Sequence, residues 1–378
     1  MSTDDDYETK EQAREDYQKV AAAFGTNTDP LREIAEQFEN DPELVGIDPF
    51  EVFIQRSLLP DDPADRTLKS YERAFNQWKA FMRTHTDRHP VGPSAEHVER
   101  FIQHRREEHG NSNRTVKFKL QKLSRAYGYW QKTGFPHPSN WDPFDQARES
   151  VNLKVQDPKE PPNLTIEDLA AGIERIKHVW DRAMVILQPK LAMRATAVTN
   201  IRLADINLTG ETVRRHFPEL GTHQKVEDHP NAIYIPSRYE RDGNKSYKDR
   251  ILPLDEETRR ALRRYLLVRP ENDEGWLFLS KTNHGKLTRN EPNRGWKEGF
   301  PEFEETDDHR GITSHYGRHF FSTWWDIRED VNTQLVKWMR GDKFGNDKGS
   351  KESIDHYRHV YYDDIEDLYR RRIFKLNL

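Results

Sequence analysis

The stretch Ser314 to Trp325, SHYGRHFFSTWW, sets His315, Arg318 and His319 within little more than one helical turn and follows them with an aromatic run. A guanidinium offers a planar fork of donors that fits a phosphate or carboxylate, and an imidazole exchanges protons near neutral pH. The cluster suits a site that meets an anion and moves a proton. Other reactive side chains lie far off in sequence. Arg194 interrupts the mostly apolar ILQPKLAMRATAV, where an unpaired charge is costly to bury. Lys245 and Lys248 lie in GNKSYKDRILPL, and Tyr357 lies in SIDHYRHVYYDD beside His359. Singly, each has a plain reading: Arg194 as a salt-bridged arginine, the lysines as soluble turn residues, and Tyr357 as one more packing tyrosine beside Tyr361, Tyr362 and Tyr369. His315 and His319 have the four-residue separation of a helical metal pair, but no third ligand with helical spacing follows, so no metal is expected there.

Elements must bring such residues together. In RTLKSYERAFNQWKAFMRT, the apolar residues Leu68, Tyr71, Phe75, Trp78 and Phe81 keep the spacing of one helix face, with Asp65 or Thr67 as the cap. PSAEHVERFIQHRREEHG predicts a second helix between Ser94 and Gly110. NSNRTVKFKLQKLSRAYGYWQKTG predicts a third, with Val116, Leu120, Leu123, Tyr127 and Trp130 inward. Its other face carries Arg114, Lys117, Lys119, Lys122 and Arg125, which suits a phosphate backbone or simply solvent. A stretch rich in Pro and Asp over 136–162 reads as a linker, and helical patterning resumes from Thr165. Around NAIYIPSRYERDGNKSYKDRILPL the period falls to two, which predicts two short strands joined by a turn at Asp242-Gly243-Asn244. The fold class expected is mainly α with a small β-sheet.

Composition narrows the function. The chain of 378 residues has no cysteine, which excludes disulfides and thiolate zinc sites. No apolar run reaches the roughly 18 residues of a membrane span, and the opening MSTDDDYETK lacks the pattern of a signal peptide, so a cytoplasmic protein is expected. The net charge of −5 at first speaks against nucleic acid. Its distribution reverses that. Residues 1–62 hold 17 acidic and 5 basic side chains, a balance of −12, which leaves +7 on the rest. An acidic arm over 1–60, partly helical or disordered, would precede a mildly basic body, and phosphate contacts depend on local charge.

In order, LAMRATAVTNIRLADIN, GNKSYKDRILPL, HYGRHFFSTWW and SIDHYRHVYYDD resemble the tyrosine recombinase, or phage integrase, family of site-specific DNA recombinases. The resemblance covers roughly residues 165–365. It implies a mixed α+β catalytic domain over 163–378 ending in a docking helix. It also implies a helical, SAM-like core-binding domain over 61–135, the two clamping double-stranded DNA. Carried over, Arg194 matches the first catalytic arginine and Lys245 the hairpin lysine, with Lys248 as its competitor. His315 and Arg318 match the H-x-x-R box, and Tyr357 matches the nucleophile. Such an enzyme swaps a phosphodiester for a 3′-phosphotyrosyl bond, so it needs no nucleotide cofactor and no metal. Homotetramers on paired sites are the family's habit; accessory proteins stay unknown.

Three departures stand out. Ala197 lies where the family often has an acidic residue. Asp342, in MRGDK, lies where His or Trp is common, and His359 could take part of that missing role. The stretch between Asp342 and Tyr357 is longer than usual. His319 would be a core histidine or a support to the site. Beyond the tyrosine, Ile365, Leu368, Tyr369, Ile373 and Leu376 have helical spacing, for docking on a neighbouring protomer or on the same chain. Alternatives to an active recombinase are an inactive DNA-binding relative, a topoisomerase-like enzyme without strand exchange, and a helical metal-binding or scaffold protein.

Overall fold

The structure, a computed structural model, describes residues 29–378 except 134, 136, 138–140, 156, 158, 272, 307–308 and 344–360, together with 16, 19, 20 and 23–25. It divides into two compact units, Met1–Asp157 and Pro158–Leu378. No helix among the described residues is long and apolar enough to cross a membrane.

The first unit is helical: α1 (Arg32–Asn40), α2 (Pro49–Phe53), α3 (Asp65–His85), α4 (Ala95–Glu107), α5 (Asn113–Trp130) and α6 (Pro143–Ser150). The inward residues of α5 are buried as its periodicity requires, against Phe75, Trp78 and Phe81 of α3 and Val98, Phe101 and Ile102 of α4. Ser94 begins α4 in a capping box with His97. Ala64, not Asp65 or Thr67, is the residue before α3, and it makes no side-chain cap.

Residues 31–58 differ from the acidic arm expected of them. Leu31, Ile34, Phe38, Phe50, Phe53, Ile54 and Leu58 join the same core as Trp78. Burial of seven large apolar side chains outweighs the solvation of the charges between them. The flanking acids are also matched: Asp29 pairs with Arg88, and Asp48 with Lys79 at 2.6 Å. Part of the expected linker is likewise structured. Asp142 caps α6, and Phe144 and Ala147 pack into the core.

The second unit begins with α7 (Ile166–Arg175) and α8 (Val179–Leu191). Helix α8 is buried on nearly all sides and serves as the axle of the unit. Then come α9 (Ala195–Thr199), β1 (Ile206–Asn207), α10 (Glu211–His216), β2 (Ala232–Ile235), β3 (Arg250–Pro253), α11 (Glu256–Leu266), α12 (Glu291–Gly299), α13 (Tyr316–Thr323), α14 (Thr333–Arg340) and α15 (Tyr362–Arg372).

The sheet has three antiparallel strands in the order β1-β2-β3, with Ile233 opposite Leu252 and Tyr234 opposite Ile251. The expected tight hairpin turn is instead a loop over 236–249. Pro236 cannot extend the ladder, and the chain beyond it is held by side chains rather than by strand pairing. Asn244 Nδ2 donates to Pro236 O at 2.9 Å, and Asn200 Nδ2 donates to Asn244 Oδ1 at 3.0 Å and to Asp242 O at 2.9 Å. Arg241 pairs with buried Asp205 and donates to Asn200 O at 2.7 Å.

Helix α15 packs on its own unit through Ile365 and Tyr369. It ends at Arg372, so Ile373, Phe374 and Leu376 reach the core from extended chain rather than from helix. The fully buried Lys190 ammonium of α8 contacts Asp255 and Glu257 at 2.7 Å each and donates to Phe374 O at 2.5 Å. Leu376 N donates to Glu257 Oε1 at 2.9 Å.

Candidate active site

The site forms where α8 breaks. Ala192 adopts the left-handed conformation, with φ 51°, and Arg194 follows in extended backbone as the residue before α9. The first arginine therefore projects from a helix break rather than from a continuous helix. Helix α13 crosses α8 at Gly317, where an added Cβ would lie 2.7 Å from Gln188 Cβ. That close approach brings the next residue, Arg318, against Ala192: its Nη1 donates to Ala192 O at 2.7 Å and to Arg340 O at 2.9 Å.

Both guanidiniums then meet one atom. Arg194 Nη2 lies 3.2 Å from Asp342 Oδ1, and Arg318 Nη2 donates to the same oxygen. Arg340 Nε lies 2.9 Å from Asp342 Oδ2. The Arg318 side chain is 2% exposed and that of Asp342 24%. Burial, followed by the positive charge of Arg194, lowers Arg318's hold on its proton. An acceptor in this seat therefore relieves an electrostatic cost. Behind the seat, buried Arg250 donates to Ser246 Oγ at 3.2 Å and to Met339 O at 2.5 Å, and Ser246 Oγ lies 3.5 Å from Arg194 Nη1. Gly341 has φ +66°, and an added Cβ there would sit 2.6 Å from Arg250 Nη1, so glycine is what lets the Asp342 turn come this close.

Arg194 also lines an open cleft of about 370 Å³ with Lys245, His315, Ser314, Asn293 and Arg289. Lys245 is exposed and has no polar partner among the described residues, while Lys248 is exposed outside this lining. The 236–249 loop thus brings Lys245, and not its competitor, to the cleft. His319 is exposed rather than a core histidine, and its ring meets that of His315 edge-on at 4.7 Å. Tyr357 and His359, with the long stretch before them, lie outside the described residues.

His315 is held well below its ordinary 6.5, at about 4. Although much of the residue's surface is open to solvent, crowding of the ring comes first among the causes, followed by His319, Arg310, Arg318 and Arg194. The neutral imidazole is the favoured form at physiological pH, which leaves a lone pair free to accept a hydrogen bond. The linkage follows: with the folded value below the unfolded one, this contribution to stability is complete above about 6.5 and is lost as pH falls toward 4. The difference in thermal midpoint between the wild type and His315→Gln is expected to shrink over that interval in a pH series of unfolding scans. A flat difference would contradict this field.

Sequence reasoning missed the residues that hold the site rather than react in it. Asn200, Ser246, Arg250 and Asn293 carry no signal in spacing, because each acts through hydrogen bonds that include one to a distant segment. In the first unit, Arg114, Lys117 and Arg125 are exposed, and Lys119 and Lys122 are half-buried. Burial, then Arg105, Lys122 and Arg73, depress Lys119 to about 8. The positive field of α5 is therefore joined by exposed Arg73 of α3 and buried Arg105 of α4, which a reading helix by helix does not find.

The second unit is thus mostly helical with a small antiparallel sheet, and arginines from two separate elements meet at one carboxylate oxygen. The chain belongs to the phage integrase family, which it matches over residues 164–362. Membership places it among enzymes that break and rejoin DNA. Solved structures agree in fold. The Tn1549 transposon integrase in complex with transposon right end DNA has a TM-score of 0.55 at 15% identity, covering 86% of this chain and 99% of that one. A lambda integrase dimer bound to a COC′ core site has 0.54 at 11%, covering 80% and 94%. A lambda integrase tetramer bound to a Holliday junction has 0.54 at 12%, covering 84% and 78%. No curated protein sequence matches the chain.

Proposed function

We propose that this chain cleaves and rejoins double-stranded DNA through a covalent 3′-phosphotyrosyl link to Tyr357, working as a multimer on paired sites. One observation carries the reading: Arg194 and Arg318, 124 positions apart in the chain, direct donors at a single oxygen, Asp342 Oδ1. In the reaction a non-bridging phosphate oxygen takes that place. The Tyr357 hydroxyl attacks phosphorus, its proton passes to neutral His315, the bond to the 5′-oxygen breaks, and Lys245 supplies that oxygen with a proton. Charge gathers on the non-bridging oxygens at the transition state, where two preorganised forks stabilise it most. One phosphoester is exchanged for another, so the step is reversible and needs no high-energy cofactor. The basic surface of α3, α4 and α5 would hold the flanking duplex. We place the domain boundaries near 157, with residues 31–58 and α6 belonging to the DNA-holding unit.

Asp342 favours a second reading, an inactive DNA-binding relative, because a carboxylate occupies the phosphate's seat. Nicked duplexes that trap the covalent step separate the two. The active reading expects a protein–DNA adduct that is absent in Tyr357→Phe. Binding without adduct in the wild type would establish the inactive one.

A further inference from the structure

A second cluster of donors lies in the first unit, apart from the catalytic candidates of the second and beside Arg105 of the basic helices. His85 ends α3, while His104 and Glu108, one helical turn apart, lie at the end of α4. One ligand atom from each lies within 4.8 Å of the others. The His85 and His104 rings are 4.6 Å apart, and His109 meets His104 edge-on at 4.9 Å. We propose that His85, His104 and Glu108 bind a divalent transition-metal ion of the zinc class and so staple α3 to α4.

Three features point to a cation rather than to ring packing alone. His104 Nδ1 is buried and faces Glu108 Oε1 at 3.0 Å, close to the carboxylate but without good hydrogen-bond alignment. A neutral ring that turns a lone pair toward a carboxylate repels it unless a proton or a metal ion lies between them. His85 Nδ1 is 3.3 Å from Phe81 O, and in the tautomer that donates there the free lone pair is on Nε2. Fixing a ligand ring through its other nitrogen is the usual outer support of a metal-bound histidine. Two helices also end here, and the negative ends of their dipoles favour a cation.

The donor set selects the metal. Two imidazoles and one carboxylate suit zinc or its neighbours, whereas calcium and magnesium prefer oxygen shells. Tetrahedral zinc at about 2.0–2.1 Å from each donor needs only a modest contraction of the cluster, with His109 or water as the fourth ligand. The site concerns the first unit and stands or falls independently of the reaction proposed for the second.

The test uses the full chain, stripped with a chelator and titrated with Zn2+ against a chromophoric competitor, alongside thermal unfolding. One ion should bind per chain and raise the unfolding midpoint. Glu108→Gln, at an exposed position that leaves packing intact, and His85→Gln should each weaken binding at least about tenfold. His315→Gln, which breaks the other histidine pair, should leave binding unchanged. Zinc affinity equal to the wild type in both Glu108→Gln and His85→Gln, or loss of binding in His315→Gln alone, would overturn the proposal.

Discussion

Arg318→Lys is expected to slow adduct formation on nicked DNA by about a hundredfold or more, the scale of losing one preorganised donor to a developing oxyanion. The reason lies in shape rather than charge. Arg318 uses Nη1 to satisfy two backbone carbonyls, those of Ala192 and Arg340, and keeps Nη2 for the anion seat. An ammonium carries the same charge on a single point and cannot span both tasks. Lysine would either leave buried carbonyls without donors, at about 1–3 kcal/mol, or abandon the seat. DNA affinity, set by many phosphate contacts, should change far less. Single-turnover trapping, paired with a binding titration and a thermal scan, measures all three. A rate close to the wild type, or a loss explained wholly by unfolding, would sink the assignment.

Asp342→Asn carries the second large effect, in two opposite directions. The amide keeps the size of the side chain but removes the carboxylate that, among the described residues, faces Arg194, Arg318 and Arg340, with Arg250 close behind. Without an added anion, the variant should unfold earlier, since like charges in a half-buried site lose their counterion. Inorganic phosphate should then bind at least about tenfold more tightly than to the wild type, about 1.4 kcal/mol, because it no longer competes with an internal carboxylate. Thermal midpoints across a phosphate series report both changes. If the variant loses its response to phosphate, Asp342 orients the arginines instead of holding their place.

How far the sequence reached follows from the range of each force. Helix faces are local patterns, so α3, α4 and α5 and their buried stripes were legible from spacing. The ordered set of Arg194, Lys245, His315 and Arg318 was legible through resemblance, and three of the four line one cleft while the fourth meets Arg194 at the seat. What escaped depends on contacts between distant segments. The acid-rich composition of 1–60 masked an apolar face that finds its partners in later segments, among them α3, α5, His89 and Phe135. The proline-rich stretch over 136–162 masked α6, whose Phe144 is useful only against Trp78 and Tyr127. Asp342 looked like a defect in a motif. Its position beside three guanidiniums gives it a task that no one-dimensional pattern encodes.

The ammonium of Lys190 lies four residues before Arg194 and takes one of its three acceptors from residue 374. Residues 373–376 are therefore held by charge as well as by apolar packing. Truncation before residue 373 would strand a fully buried ammonium one oxygen short and leave Glu257 without its amide donor, and that cost would fall on the same helix that leads into the anion seat.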